Sequence, residues 1–178
     1  MIYSNSNQIV IFSPPKTGTK ARIMLYNSIC DRILFHVSFV DFIKKYPEVK
    51  EYTKMCFVRN PWNRFISYFH MFNRDRSLSE QKKIFKSWAI NFDMKSMDLY
   101  YCNENKEIAV DKIFQVEKWQ ESIEEINQKI NYQPNKNLIN NKIYDTNIYK
   151  EWFDQEMIDF IADKEKITID KFNYTFEN

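Results

Sequence analysis

The chain has 178 residues, 44% of them hydrophobic and 17% aromatic, with a formal net charge of +2. That length suits one domain with a substantial core, and the composition excludes a disordered chain. The small net charge does not by itself argue for a nucleic-acid partner, and no run of about 18 apolar residues marks a membrane span.

In chain order, Gln8–Ser13 is apolar and β-branched and reads as a buried strand. The loop Ser13-Pro14-Pro15-Lys16-Thr17-Gly18-Thr19-Lys20 follows, and Thr19–Cys30 reads as a helix. Gly18 is the only glycine, where an average chain of this length carries roughly a dozen. Asparagines are expected to serve the other turns, so the single glycine marks a place where the backbone comes close to something. A strand, a tight loop with glycine, lysine and hydroxyls, and a helix N-terminus together make a phosphate cradle. In that reading backbone N–H groups face the anion, Lys16 supplies a point charge, and Thr17 and Thr19 donate hydroxyl hydrogen bonds. The alternative is an ordinary strand-to-helix turn with a capping threonine. The order Lys-Thr-Gly-Thr is not that of the usual nucleotide-triphosphatase loop, which needs Gly-Lys-Ser/Thr after an earlier glycine.

A second strand is expected at Ile33–His36 and a helix at Phe39–Tyr46, stopping before Pro47. Lys54–Val58 reads as the next strand, and Pro61 is a good first residue for the helix after it. On that helix Trp62, Phe65, Ile66, Phe69 and Phe72 make an apolar face, opposite Asn63, Ser67, His70 and Arg74. Arg59 stands at the strand end, and Ser67 falls roughly 9 Å along the helix axis. A guanidinium and a hydroxyl so placed can hold one phosphate. Alternatively, Arg59 pairs with a carboxylate and Ser67 is simply solvated.

Ser77-x-x-Glu80 is a capping box opening a helix to about Ile90. Lys112–Val116 reads as a strand, and Trp119, Ile123, Ile126 and Ile130 make Lys118–Ile130 an amphipathic helix. Asp154 caps a last helix through Met157, Ile158 and Ile161. Alternating strands and helices predict an α/β sandwich with a mainly parallel sheet, a single domain over residues 1–178. Ligands in such sheets sit beyond the carboxyl ends of the strands, where Ser13–Thr19 and Arg59 fall.

Charge is unevenly spread. Lys54 to Arg76 carries five basic residues against Asp75, and Lys150 to Asn178 carries eight acids against four lysines. This fits a local anion site better than a general polyanion surface. Cys30, Cys56 and Cys102 lack Cys-x-x-Cys spacing and nearby histidines, which argues against a disulfide framework and against a zinc site. Free thiols and no recognisable leader segment make the expected setting cytoplasmic.

Two of these segments resemble one family. Pro15-Lys16-Thr17-Gly18-Thr19 and Phe57-Val58-Arg59-Asn60-Pro61-Trp62-Asn63-Arg64-Phe65-Ile66-Ser67 are similar to the two nucleotide-binding segments of PAPS-dependent sulfotransferases, in particular the carbohydrate sulfotransferase-like branch. Weaker similarities follow in order at Phe85-Lys86-Ser87-Trp88, Asp111 through Glu117, Asn140-Asn141-Lys142 and Asp170-Lys171-Phe172-Asn173-Tyr174. Lys20 stands where a small or hydroxyl residue is more usual, and Asn173 where the family often has glycine.

The resemblance implies a P-loop-like three-layer sandwich. It implies PAPS as sulfuryl donor, PAP as product, and as acceptor a hydroxyl of a saccharide or small metabolite, with no nucleic-acid partner and no metal. Carried over, Lys16 would meet the bridging oxygen and leaving phosphate. Pro15, Thr17, Gly18, Thr19 and Lys20 would hold the 5′-phosphate, Arg59 and Ser67 the 3′-phosphate, and Lys142 would cover the nucleotide. His36 lies in the interval where related carbohydrate enzymes place a histidine, and an imidazole suits a general base. His70, Glu48, Asp41 and Glu117 are the other candidates for that role. Two further readings stand beside this one: a PAPS- or PAP-binding protein without turnover, and a small nucleotide kinase, which the missing Gly-Lys-Ser/Thr order disfavours.

Overall fold

A computed structural model describes residues 1–134 and 147–177. Internal contacts group the chain into two compact units. The described part of the first is Met1–Arg59 with residues 97–134, and that of the second is Asn60–Ser96 with residues 147–177.

The first unit is built on a five-stranded sheet: β1 (Ile2–Ser4), β2 (Ile9–Phe12), β3 (Arg32–Ile33), β4 (Thr53–Val58) and β5 (Lys112–Gln115), in the order β3-β1-β2-β4-β5. β2 pairs parallel with β4, and β4 with β5, whereas β1 runs antiparallel to β2 and β3. The sheet is therefore mixed rather than mainly parallel. The cause is local. The Asn5–Gln8 turn, closed by Gln8 N–H donating to the Asn5 carbonyl at 3.1 Å, is too short for anything but an antiparallel return. The expected strand at Ile33–His36 keeps only its first residue, because the chain turns away and His36 takes a positive φ of 55°.

Alternation along the strands divides the core in two. Ile2, Ile9, Ile11, Met55, Phe57 and Phe114 face Leu25 and Tyr26 of α1 (Thr19–Tyr26) and Trp119, Ile123 and Ile126 of α5, as numbered in chain order (Trp119–Ile130). On the other face Phe12 meets Phe39 and Phe42 of α2 (Phe39–Lys45), each at 5.4 Å between ring centroids, and Tyr3 meets Phe42 at 6.1 Å. Helices thus lie on both sheet faces of this unit. Each fully buried side chain of this size contributes about 1.5–3 kcal/mol.

The second unit is helical: α3 (Pro61–Phe72), α4 (Leu78–Asn91), α6 (Gln155–Lys164) and α7 (Lys166–Phe172). The capping box of α4 forms both of its bonds, and Asp154 caps α6 through Met157 N–H, although α6 is followed by the further helix α7. Phe69, Phe85 and Trp88 pack edge to face at 5.0 and 5.2 Å. One expectation for α3 needs correcting: Phe72 is 60% exposed. Arg64, which the sequence reading assigned to neither face, is completely buried in an ion pair with Glu165. Lys86 reaches both Asp154 and Glu156, so part of the acidic C-terminal segment is met by lysines of its own unit.

Candidate anion site

β2 and β4 are parallel neighbours, with Phe12 opposite Cys56, so Ser13 and Arg59 both leave the sheet at the carboxyl end of these strands. The loop between β2 and α1 is wound tightly. Thr17 N–H and Thr17 Oγ1 both donate to the Pro14 carbonyl, at 3.4 and 2.8 Å. Lys16 has φ 69° and Gly18 φ 80°, so two of three consecutive residues are left-handed. Gly18 adopts that conformation at little steric cost, whereas Lys16 does so against its own preference. Among the described residues asparagine serves two of the other positive-φ positions, Asn131 and Asn173; the rest are Gln8, His36 and Lys106. Asn173 closes α7 in the left-handed region, the conformation a glycine would take there.

Two distant segments, and the first turn of α1, converge on this loop. Arg59, 9% exposed, donates from Nη1 to the Lys16 carbonyl at 3.3 Å. His36 is exposed, and its Nδ1 lies 3.3 Å from the Ser13 carbonyl, which can only accept. Arg22, three residues into α1, is completely buried and donates to the Thr17 carbonyl, to Ser13 Oγ at 2.9 Å and to Thr17 Oγ1 at 3.3 Å. Its guanidinium lies 3.9 Å over the Phe57 ring centroid and 5.7 Å from that of Trp119. Burial lowers the Arg22 pKa to about 9.

Of the residues singled out from the sequence, Pro15 is buried, Lys16 is half-buried and Lys20 exposed. The Thr17 hydroxyl is engaged within the loop, donating to Pro14 and accepting from Arg22, so it builds the loop rather than standing ready to donate outward. Thr19 Oγ1 is buried and has no hydrogen-bond partner among the described residues. Ser67 is half-buried on α3 and belongs to the second unit. His70 Nδ1 lies 3.1 Å from Gln81 Oε1 of α4. Lys142 lies outside the described residues. Tyr100 and Tyr101 are buried in the core, so neither presents a ring for a sugar to stack on.

Arg22 escapes the sequence reading, yet a signal for it exists. It stands three and four residues before the buried Leu25 and Tyr26, on the core face of α1, where an arginine is out of place. Residues 1–30 contain no acid, while Lys16, Lys20 and Arg22 lie within them. Such a loop can attract and orient a phosphate-bearing anion. No family model, no curated protein and no solved structure matches the chain.

Proposed function

We propose that this chain is a sulfotransferase that takes a sulfuryl group from PAPS and delivers it to a hydroxyl of a saccharide or small metabolite. The observation that carries the reading is the meeting of Lys16, Arg59 and His36 on one loop, from positions 43 and 23 residues apart. The motif resemblance gives each a role that this meeting can serve.

Residues of the loop fit an anionic donor, since Lys16, Lys20, Arg22 and Arg59 bring positive charge to it and Thr19 Oγ1 has no hydrogen-bond partner among the described residues. PAPS, when bound, supplies the sulfuryl group and departs as PAP. Lys16 holds the phosphate side of the breaking bond, where negative charge grows; positioning and electrostatics dominate such in-line transfers. Arg59 and, from the second unit, Ser67 are assigned to the 3′-phosphate on the sequence resemblance. A His36 Nδ1–H that donates to Ser13 leaves Nε2 as the basic nitrogen. Nε2 then accepts the acceptor's hydroxyl proton as its oxygen attacks sulfur.

A thermal-shift assay with PAP, and with ADP plus magnesium, tests the donor; stabilisation by PAP alone is expected. Transfer of labelled sulfate from PAPS to a panel of hydroxyl acceptors tests the reaction. Lys16→Ala should abolish transfer while keeping much of the PAP shift. Stabilisation by ADP–magnesium in place of PAP would overturn the reading, and PAP binding without transfer to any acceptor would reduce it to a nucleotide-binding protein.

A further inference from the structure

We infer that Arg22 is the positioning residue of the Ser13–Thr19 loop, and that its buried guanidinium supplies part of the charge by which the loop takes a phosphate-bearing anion. The inference rests on the proposed function's reading of this loop as an anion site and adds to it a residue that the motif resemblance does not select.

The geometry begins with the peptide planes. No peptide bond here is cis, so each N–H points opposite its carbonyl. Arg22 holds the Thr17 carbonyl, and Arg59 holds the Lys16 carbonyl beside it. Two consecutive carbonyls are thereby drawn to guanidinium groups, and the N–H of Gly18 is turned away from Arg22. Ser13 Oγ and Thr17 Oγ1, also held by Arg22, tie the two ends of the loop to the same group. An anion at this loop meets a backbone already set, with no reorganisation on binding.

Charge is the second part. Among the described residues no carboxylate forms an ion pair with Arg22. Its surroundings are a carbonyl, two hydroxyls and the rings of Phe57 and Trp119, and its Nε has no hydrogen-bond partner. A buried charge without a counter-ion is unfavourable in a folded protein. An arriving anion offsets that penalty across the loop, and in return binds more tightly than it would to neutral backbone. The Thr19 hydroxyl, buried at the first residue of α1 and without a hydrogen-bond partner among the described residues, points independently to a ligand at this loop.

Calorimetric titration of PAP and of inorganic pyrophosphate into the parent, Arg22→Lys and Arg22→Met tests this. Arg22→Met should bind both probes about ten- to a hundredfold more weakly, the loss of a charge-assisted contact. Arg22→Lys, which keeps the charge and loses the fork, should fall between them. Because Arg22→Met can fail to fold, the parent carries a second readout. The Arg22 Nε–H resonance, assigned by its disappearance in Arg22→Lys, should shift on saturation, while that of Arg64 should not. A folded Arg22→Met that binds pyrophosphate as the parent does, or an Arg22 resonance unmoved at saturation, overturns the inference. Pyrophosphate that shifts Arg22 while PAP binds no better than pyrophosphate leaves Arg22 in place and removes the sulfotransferase reading. PAP binding with a silent Arg22 does the reverse, and a parent that binds neither probe removes both.

Discussion

Arg22 and Arg64 are both completely buried arginines, one in each compact unit, and their surroundings differ in kind. Arg64 pairs with Glu165 through Nη1, and donates from Nη2 to the Lys95 carbonyl at 2.7 Å. The other Glu165 oxygen accepts from Ser96 and Thr168 hydroxyls at 3.3 and 3.4 Å. That cluster is balanced in charge and serves to join α3 to α7. Arg22 has neutral acceptors and aromatic rings instead. The contrast teaches how to separate a buried arginine that is part of the scaffold from one that serves a site. The first finds its carboxylate within its own unit, and the second, on the proposed reading, is complemented by the anion that the loop binds.

The largest effect that tests this contrast lies at Glu165. Glu165→Leu strands the Arg64 charge and should cost about 3–5 kcal/mol in a denaturant melt. Adding Arg64→Met should recover part of that loss. A single mutant as stable as the parent would mean that Arg64 needs its carboxylate no more than Arg22 does, and the comparison would collapse.

A smaller effect is read in alkali. Arg22 has its folded pKa lowered to about 9 by burial, below the unfolded value. Between those values the native state binds fewer protons than the unfolded chain, so this group's contribution to stability rises as pH climbs through about 9. Its neighbours Cys56 and Tyr26 stay protonated in that window, because burial pushes both upward. The parent should therefore gain stability relative to Arg22→Met as pH is raised from about 8 to about 10.5. A constant difference across that range would show a guanidinium that is not penalised by burial.

The smallest effect is a control. Ser38 caps α2 by accepting from Asp41 N–H in the first unit, as Ser77 caps α4 by accepting from Glu80 N–H in the second. Ser38→Ala and Ser77→Ala should each cost about 1 kcal/mol in thermal melts without moving anion affinity. Unequal losses, or a change in PAP binding with either, would show that the two regions differ in more than their buried arginines.

Much of the architecture is legible in the chain because it is local. The capping box at Ser77, the cap at Asp154, proline at the start of α3 and the apolar spacing of α5 are all short-range signals, and each element forms where they place it. What escaped depends on distant partners. β1 is three residues long, too short for a periodicity, and exists because β2 and β3 flank it. Arg64 belongs to neither face that the pattern defines on α3, and is drawn inward by a glutamate 101 residues away. In the site, the loop and Arg59 could be singled out from residue types, but the tie from Arg59 to the Lys16 carbonyl could not. The Thr17 hydroxyl was read as a ligand donor because sequence alone does not show that Pro14 and Arg22 already engage it.

The strand order carries one more consequence. β2 occupies the middle of the sheet, β4 lies beside it, and the two-residue β3 and β5 form the margins. Local opening in folded proteins starts at frayed margins and reaches interior strands last. The segments that launch Ser13 and Arg59 are thus rooted in the part of the sheet expected to exchange slowest, and the bond from Arg59 to the Lys16 carbonyl should outlast the breathing of the borders.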